Sequence, residues 1–520
     1  MKKSFVLLLT LVLLIFGTAY YAQMTLLNEK DQVHYTETIL YGDKDVVDGT
    51  VVELDLGYRQ QLYWHTTYEI GATPKEQTMY TFYPWYHQIF DYSYAGSLAF
   101  LNNSRNIRVD EYEFESEKEL TGLHAAMKKL YKETEPGTSK IDIVYLKDFE
   151  EYYTFDLEVS LPRDGNMPSY SYGYYNKNEL IEEIALLEET GGHEEQLKEY
   201  KEALKVWEGF ESFFKIPVLD TELAAIGISK DTDGHVSGWA ISDASGGSCD
   251  GDMNFIDRPE LQGADSFDFG IQAIFDDENC YFTFYPYTRN DKLVDVSQIL
   301  GGYGIYSFKY DKETRKTDIE SLHTVYEWNP EYRLENLILD ENGQNLLLFT
   351  EDEFQHRLDI IDKNTMALVD TFELGTKEAY LSSWSYEDFL VVAGENVMVF
   401  SVDENGKYTQ VFSVNKEEVI KNISSTKYGL ELFGWSSYFD WNGETLLMID
   451  KSSRIDDEYR GLYTCNFVVA AVDKTGLLYY GLYESSLDTF DLNYTGCYFD
   501  RNEENPFQIH WKSLILDEIN

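Results

Sequence analysis

At 520 residues the chain is too long for one ordinary hydrophobic core, and 42 Lys+Arg against 93 Asp+Glu give it a formal charge of −51 at pH 7. That field repels nucleic acid and anionic lipid surfaces and excludes both as electrostatic partners, leaving cationic peptides, basic proteins and divalent cations. Aromatic residues make up 16% of the chain, 42 of them Tyr, a composition suited to pleated, half-buried strands.

Residues 1–28, MKKSFVLLLTLVLLIFGTAYYAQMTLLN, carry Lys2 and Lys3 and then no charge until Glu29. As a helix, the apolar stretch from Ser4 to Ala22 rises roughly 28 Å, close to the hydrocarbon thickness of a bilayer. The segment is expected to be an uncleaved single-pass membrane anchor, with the lysines placing the remainder outside the cytoplasm. A cleaved signal peptide competes, with Gly17-Thr18-Ala19 as its small-residue site and a secreted protein as its result.

Residues 29–264 read as a β-rich region carrying helices. TVVELDLGYRQQLYWHTTYEIG (50–71) alternates, and His65 within it reads as a hydrogen-bonded structural histidine, since no second His or Cys stands nearby at metal spacing. Ser116-Glu117-Lys118-Glu119 is a capping box that predicts a helix over 117–132, ended by Pro136-Gly137. From 178 to 214 the apolar period becomes helical: Leu180, Ile184 and Leu187 form one face, and Leu197, Leu204, Trp207 and Phe210 form another. Gly191-Gly192 turns between them, so an αα-hairpin is inserted, packing on a sheet, capping the mouth of the fold or presenting a surface to a partner.

The stretch 245–268 is rich in Gly, Ser and Asp. Asp250, Asp252 and Asp257 are its candidate metal ligands, offering the oxygens calcium uses, although no EF-hand register fits and a solvated acidic loop explains them better. Cys249, Cys280, Cys465 and Cys497 permit three complete pairings; local bridges 249–280 and 465–497 and free buried thiols both stay open.

The second half, 265–520, carries a repeat. Asp311, Asp362, Asp403 and Asp473 each end an apolar strand and are followed by two residues, then Thr or Gly, then more β-formers. Upstream of each lies another turn and apolar run: 275–285, 339–349, 387–394 and 440–449. Four strands per unit, roughly 40–70 residues apart, match a propeller blade, whose repeat is roughly 40–50 residues. The fold expected is therefore an all-β propeller of seven or eight blades, or a smaller one behind a mixed amino-terminal domain, with the αα-hairpin inserted. HWKSLILDEIN at the carboxy terminus is expected to close the ring against the start of the chain.

LYWHTTYEIG (62–71), KDFEEYYTFDLEVSLP (147–162), FFKIPVLD (213–220), LVDVSQILGGYGIYSF (293–308) and LDENGQNLLLFTEDEFQHRLDIIDKNT (339–365) resemble an uncharacterised family of bacterial proteins with one amino-terminal membrane segment and a propeller-like extracytoplasmic region. The resemblance implies a bacterial envelope location and carries no activity or site residue.

No GxSxG elbow, HExxH, P-loop or strand-to-helix GxGxxG is present, so no catalytic residue and no organic cofactor is indicated. The function expected is a non-enzymatic, membrane-tethered extracytoplasmic binding or scaffold protein, whose partner is another extracytoplasmic protein or a cell-wall component. Its rivals are an envelope glycan or peptide hydrolase using acidic residues at the propeller mouth, sought first there and in the loop 450–463, and a calcium-stabilised structural module.

Overall fold

The computed structural model describes residues 10–21, 34–58, 62–82, 96–102, 122–162, 171–175, 177–243, 247–253, 259–261, 264–288, 292–314, 316–421, 437–453, 463–485, 497–499 and 507–511, with isolated residues such as 24, 114, 115, 120 and 433. The protein is mostly β, and its described strands form seven sheets of antiparallel pairs.

Sheet 1 joins Val51–Tyr58, Leu62–Glu69 and Lys75–Phe82 to Cys497–Phe499 and Phe507–His510 from the far end of the chain. Sheet 2 holds Ser97–Asn102, Phe155–Ser160 and Ser171–Tyr175; sheet 3 holds Ser139–Tyr145, Leu223–Lys230, Val236–Ser242 and Gly247–Gly251. The next four are meanders in strict chain order. Sheet 4 comprises Phe267–Phe275, Asn279–Thr288, Gly304–Asp311 and Lys316–Glu327, and sheet 5 comprises Arg333–Leu339, Asn345–Glu351, Gln355–Asp362 and Ala367–Thr376. Sheet 6 comprises Ser382–Ser385, Phe389–Ala393, Asn396–Val402 and Tyr408–Asn415. Sheet 7, Tyr438–Trp441, Leu446–Ser453, Tyr463–Asp473 and Gly476–Ser485, gains Tyr35–Gly42 as a fifth strand.

The repeat is written in turn chemistry. A short side chain whose oxygen accepts amides two or three residues on reverses the chain without outside help. Asp311 accepts from the amides of Glu313 and Thr314, Asp362 from Thr365, Asp403 from Asn405 and Asp473 from Thr475, each between the third and fourth strands of its sheet. Asp276 and Asn442 do the same between first and second strands, and Asp340 there accepts from the amides of Gln344 and Asn345, four and five residues on.

The apolar runs follow from burial on both faces. Leu346, Leu347, Leu348 and Phe349 are all fully buried. Leu347 and Phe349 pack with Leu390 and Val392 of sheet 6, while Leu346 and Leu348 join the core that contains Phe308 of sheet 4. A strand covered on both sides loses polar alternation. Likewise Leu446 and Met448 of sheet 7 face Val391 of sheet 6, and Leu447 and Ile449 face Leu54 and Trp64 of sheet 1. Strand pairing also ties the two ends of the chain together: Val51–Leu54 pair with Phe507–His510, and Tyr35 to Gly42 pair with Tyr479 to Ser485.

The membrane anchor expected over residues 1–28 is overturned. Among the described residues no helix is long and apolar enough to cross a membrane. The membrane tether, and the single-pass location built on it, fall with that finding.

The helix expected over 117–132 is described over Gly122–Glu133; its capping box, 116–119, lies outside the described residues. The helix pair is Lys177–Thr190 and Glu194–Phe213. Its second member lies on the last strand of sheet 4, through Gly209 against Ile319 and the ion pairs Lys205–Glu320 at 2.6 Å and Lys316–Glu202 at 2.8 Å. Cys249 and Cys280 are free thiols, and the side chains of Cys465 and Cys497 lie outside the described residues.

Candidate functional site

Between sheets 4 and 5 lies a cleft of about 350 Å³. It opens at the end of the sheets opposite the turns of Asp311 and Asp362, and its walls come from the ends of second strands and from the connections that follow second and fourth strands. Tyr285, Tyr287, Tyr303 and Tyr332 supply aromatic walls; Lys292, Arg333 and Lys377 supply cations; Glu331, Glu351, Asp352 and Glu353 supply carboxylates.

Strand periodicity puts Tyr285 and Tyr287 on one face, and their rings stand 5.9 Å apart, inclined by only 26°. Gly270 is the register partner of Tyr285, and a Cβ there would overlap the tyrosine ring, so the ring lies across the bare backbone. Tyr287 remains 43% exposed. Burial raises the pKa of both hydroxyls, Asp268 adding to it, so both are neutral donors at physiological pH.

Behind this wall, sheet 5 assembles a charged row. Register places Arg333 opposite Glu351 and Glu351 opposite His356, across three neighbouring strands. The hairpin between the last two is set by Asp352, whose carboxylate accepts from the amides of Phe354 and Gln355 at 2.7 and 2.9 Å. Glu335 joins the row through an irregularity: the register of its strand shifts between Leu334 and Asn336, leaving Glu335 as the bulged residue. A bulge of this kind re-aims a side chain.

His356 is 2% exposed. Its Nε2 lies 2.8 Å from the carbonyl oxygen of Ala379, and a carbonyl only accepts, so Nε2 carries the hydrogen. Nδ1 has no hydrogen-bond partner. It faces Glu351 Oε2 at 4.0 Å, and ligand atoms of Glu335, Glu351 and His356 all lie within 4.8 Å of one another. Burial, then the neighbouring Glu351 carboxylate, raises the pKa of Glu335. Arg333 Nη1 offsets part of the negative charge at 3.5 Å from Glu351, from a largely exposed position. The arrangement combines a buried imidazole lone pair with two carboxylates at the margin of an aromatic cleft.

The three aspartates singled out in the sequence lie elsewhere. Asp250 is exposed on the strand Gly247–Gly251 with Oδ1 accepting from the Gly251 amide at 2.7 Å, Asp252 is exposed in the turn that follows, and Asp257 lies outside the described residues. Of the loop 450–463, residues 454–462 also lie outside them. His65 is held by Asp55 Oδ1 at 3.0 Å, its register partner. Among the described residues, Glu335, Glu351 and His356 are the group of three His, Cys, Asp or Glu side chains close enough to share an ion. Sequence reasoning missed all three. The hairpin Glu351-Asp352-Glu353-Phe354-Gln355-His356 does signal the pairing of Glu351 with His356, because an Asx-type turn at Asp352 sets them opposite.

No family model and no curated protein matches the sequence. Solved structures that align include a putative 6-phosphogluconolactonase from Bacteroides fragilis, 9% identical over 84% of this chain and 95% of that one, with a TM-score of 0.26. An oligogalacturonate lyase from Vibrio parahaemolyticus is 8% identical over 87% and 97%, with a TM-score of 0.25. An uncharacterized protein from Listeria monocytogenes is 11% identical with a TM-score of 0.20 over 40% of this chain, which spans only 51% of that protein's length. Superpositions this loose carry no inference about activity.

Proposed function

We propose that the seven sheets are the blades of one β-propeller, and that the protein is a carbohydrate-binding propeller whose site is the tyrosine-walled cleft between sheets 4 and 5. The ring reading is supported by the face-to-face packing of sheets 4 through 7 and of sheet 7 on sheet 1, and by the exchange of strands between the two ends of the chain.

The observation that carries the ligand class is the Tyr285–Tyr287 pair, two rings side by side on one face of one strand, with the second exposed. Sugar rings present flat C–H faces to such a platform, while their hydroxyls need both donors and acceptors. Lys292, Arg333 and Lys377 donate, and Glu351, Asp352 and Glu353 accept. The near balance of charge in the cleft, within a strongly acidic chain, separates it from the remaining surface.

The test is a screen of the full chain against immobilised neutral and acidic oligosaccharides, followed by titration calorimetry on the hits. Tyr287→Ala is expected to weaken binding at least about tenfold, equivalent to 1.4 kcal/mol. Tyr145→Ala, an exposed tyrosine on sheet 3, is expected to leave it unchanged. Failure of every saccharide to bind, or wild-type affinity in Tyr287→Ala, removes the reading.

A further inference from the structure

We propose that Glu335, Glu351 and His356 form a binding site for a divalent transition-metal ion of the zinc or manganese type, in the wall of the cleft. The site does not depend on what the cleft binds.

Three independent features point to an ion. The first is the tautomer. With Nε2–H given to the Ala379 carbonyl, Nδ1 is the ring nitrogen left to offer a lone pair, and that buried atom has no hydrogen-bond partner. An unpaired buried polar atom is costly to keep. A hydrogen bond from the far nitrogen to a backbone carbonyl is also the arrangement that fixes metal-bound imidazoles and raises their basicity.

The second is charge. Glu335 and Glu351 converge on that lone pair, both only partly exposed, with the Arg333 guanidinium as a largely exposed counter-charge. Ligand atoms of the two carboxylates and the imidazole lie within 4.8 Å of one another, and the two carboxylates share a hydrogen bond, so a proton stands where a dication would replace it. A dication satisfies all three at once.

The third is distance. Ligand atoms about 2.1 Å from a common ion stand at most about 4.2 Å apart. Nδ1 and Glu351 Oε2 are at 4.0 Å, inside that limit, and the whole set lies within 4.8 Å, so an ion would have to draw the ligand atoms closer together. Imidazole with two carboxylates suits zinc, manganese, iron(II) or cobalt; calcium and magnesium, which prefer all-oxygen shells, fit poorly. Glu351 also lines the cleft, so the proposed site adjoins the space a ligand would occupy.

The bulge at Glu335 gains a purpose in this reading. It sets the position of Glu335 beside the row formed by Arg333, Glu351 and His356.

The experiment strips the full chain with chelator and titrates it with zinc, manganese and cobalt, following stoichiometry by calorimetry and the visible spectrum of cobalt. One saturating equivalent is expected, accompanied by a cobalt band and a rise in the unfolding midpoint. Glu335→Gln and Glu351→Gln keep side-chain size and hydrogen-bonding capacity, and each is expected to weaken binding at least about tenfold, the size of even an outer-shell loss. His356→Gln is expected to abolish the cobalt band. Because His356 is buried, the glutamate variants, checked for unchanged metal-free unfolding cooperativity, carry the decision. Absence of a stoichiometric ion, or wild-type affinity in both glutamate variants, overturns the proposal and leaves the three side chains as a proton-sharing cluster.

Discussion

The hydroxyl of Tyr483 donates to the carboxylate of Glu37 at 3.1 Å across a sequence separation of 446 residues. Tyr479 donates to the same oxygen at 2.8 Å, the two hydroxyls touch at 2.9 Å, and Lys44 pairs with the other carboxylate oxygen. This polar knot holds the first strand against the last strand of sheet 7. Glu37→Ala leaves a buried tyrosine donor without an acceptor and is expected to destabilise the fold by about 2 kcal/mol, whereas Glu37→Gln keeps an acceptor and loses less. Urea unfolding of the two variants checks the order.

Gly209 sits inside a helix, where alanine is normally better by about 1 kcal/mol. Here a Cβ would overlap Cγ1 of Ile319, a stiff β-branched side chain. Gly209→Ala is therefore expected to destabilise by about 1–2 kcal/mol. In an Ile319→Ala background the same change should become stabilising. A double-mutant cycle on thermal unfolding measures the reversal of sign.

Burial works against the charge of Asp276, but the amides of Glu278 and Asn279 and the ammonium of Lys363 at 3.2 Å hold its pKa below the ordinary carboxylate value. A depressed folded pKa contributes stability above the unfolded value, and that stability is lost as pH falls through the folded value. Asp276→Asn is expected to lose about 1–2 kcal/mol at pH 7, with the gap to wild type closing only below about pH 4. Chemical denaturation at several pH values decides it.

Burial pushes the hydroxyl of Tyr68 up to about 12, helped by Glu37 and Glu76, and that of Tyr281 up to about 12, helped by Asp276. Unfolded tyrosines titrate near 10. Between those values the unfolded chain binds fewer protons than the folded one, so stability falls as pH rises. Ultraviolet titration of the native protein should show incomplete tyrosinate formation at about pH 11, completed on adding denaturant.

The meanders were legible because each is bounded by local chemistry. Asp362 and Asp403 reverse the chain with their own side chains, so their turns can be read without knowing the neighbours. The apolar helix faces containing Leu187 and Trp207 were legible for the same reason, and both residues are buried. Sheet 2 and sheet 3 were not, since their strands interleave: Ser139–Tyr145 pairs with Leu223–Lys230, stepping over Phe155–Ser160. The charged row was hidden for another reason. Glu335 and His356 stand on strands that are not neighbours, at a register shift, and 93 acidic residues offer no way to select one. The apolar count over Ser4 to Ala22 misled because length and hydropathy alone allowed a bilayer-spanning helix, and none is found among the described residues.

The pairing of Tyr35–Gly42 with Gly476–Ser485 sets a clock on synthesis. At about 5–20 residues per second, the ribosome delivers the last partner roughly 20–90 s after the first strand has emerged. For that interval the strands Tyr35–Gly42 and Val51–Tyr58 wait with open edges, which are templates for pairing with other chains. Newly made protein is thus most exposed to misassembly before residues 476–510 arrive, and their pairing, more than any local event, commits it to the native state.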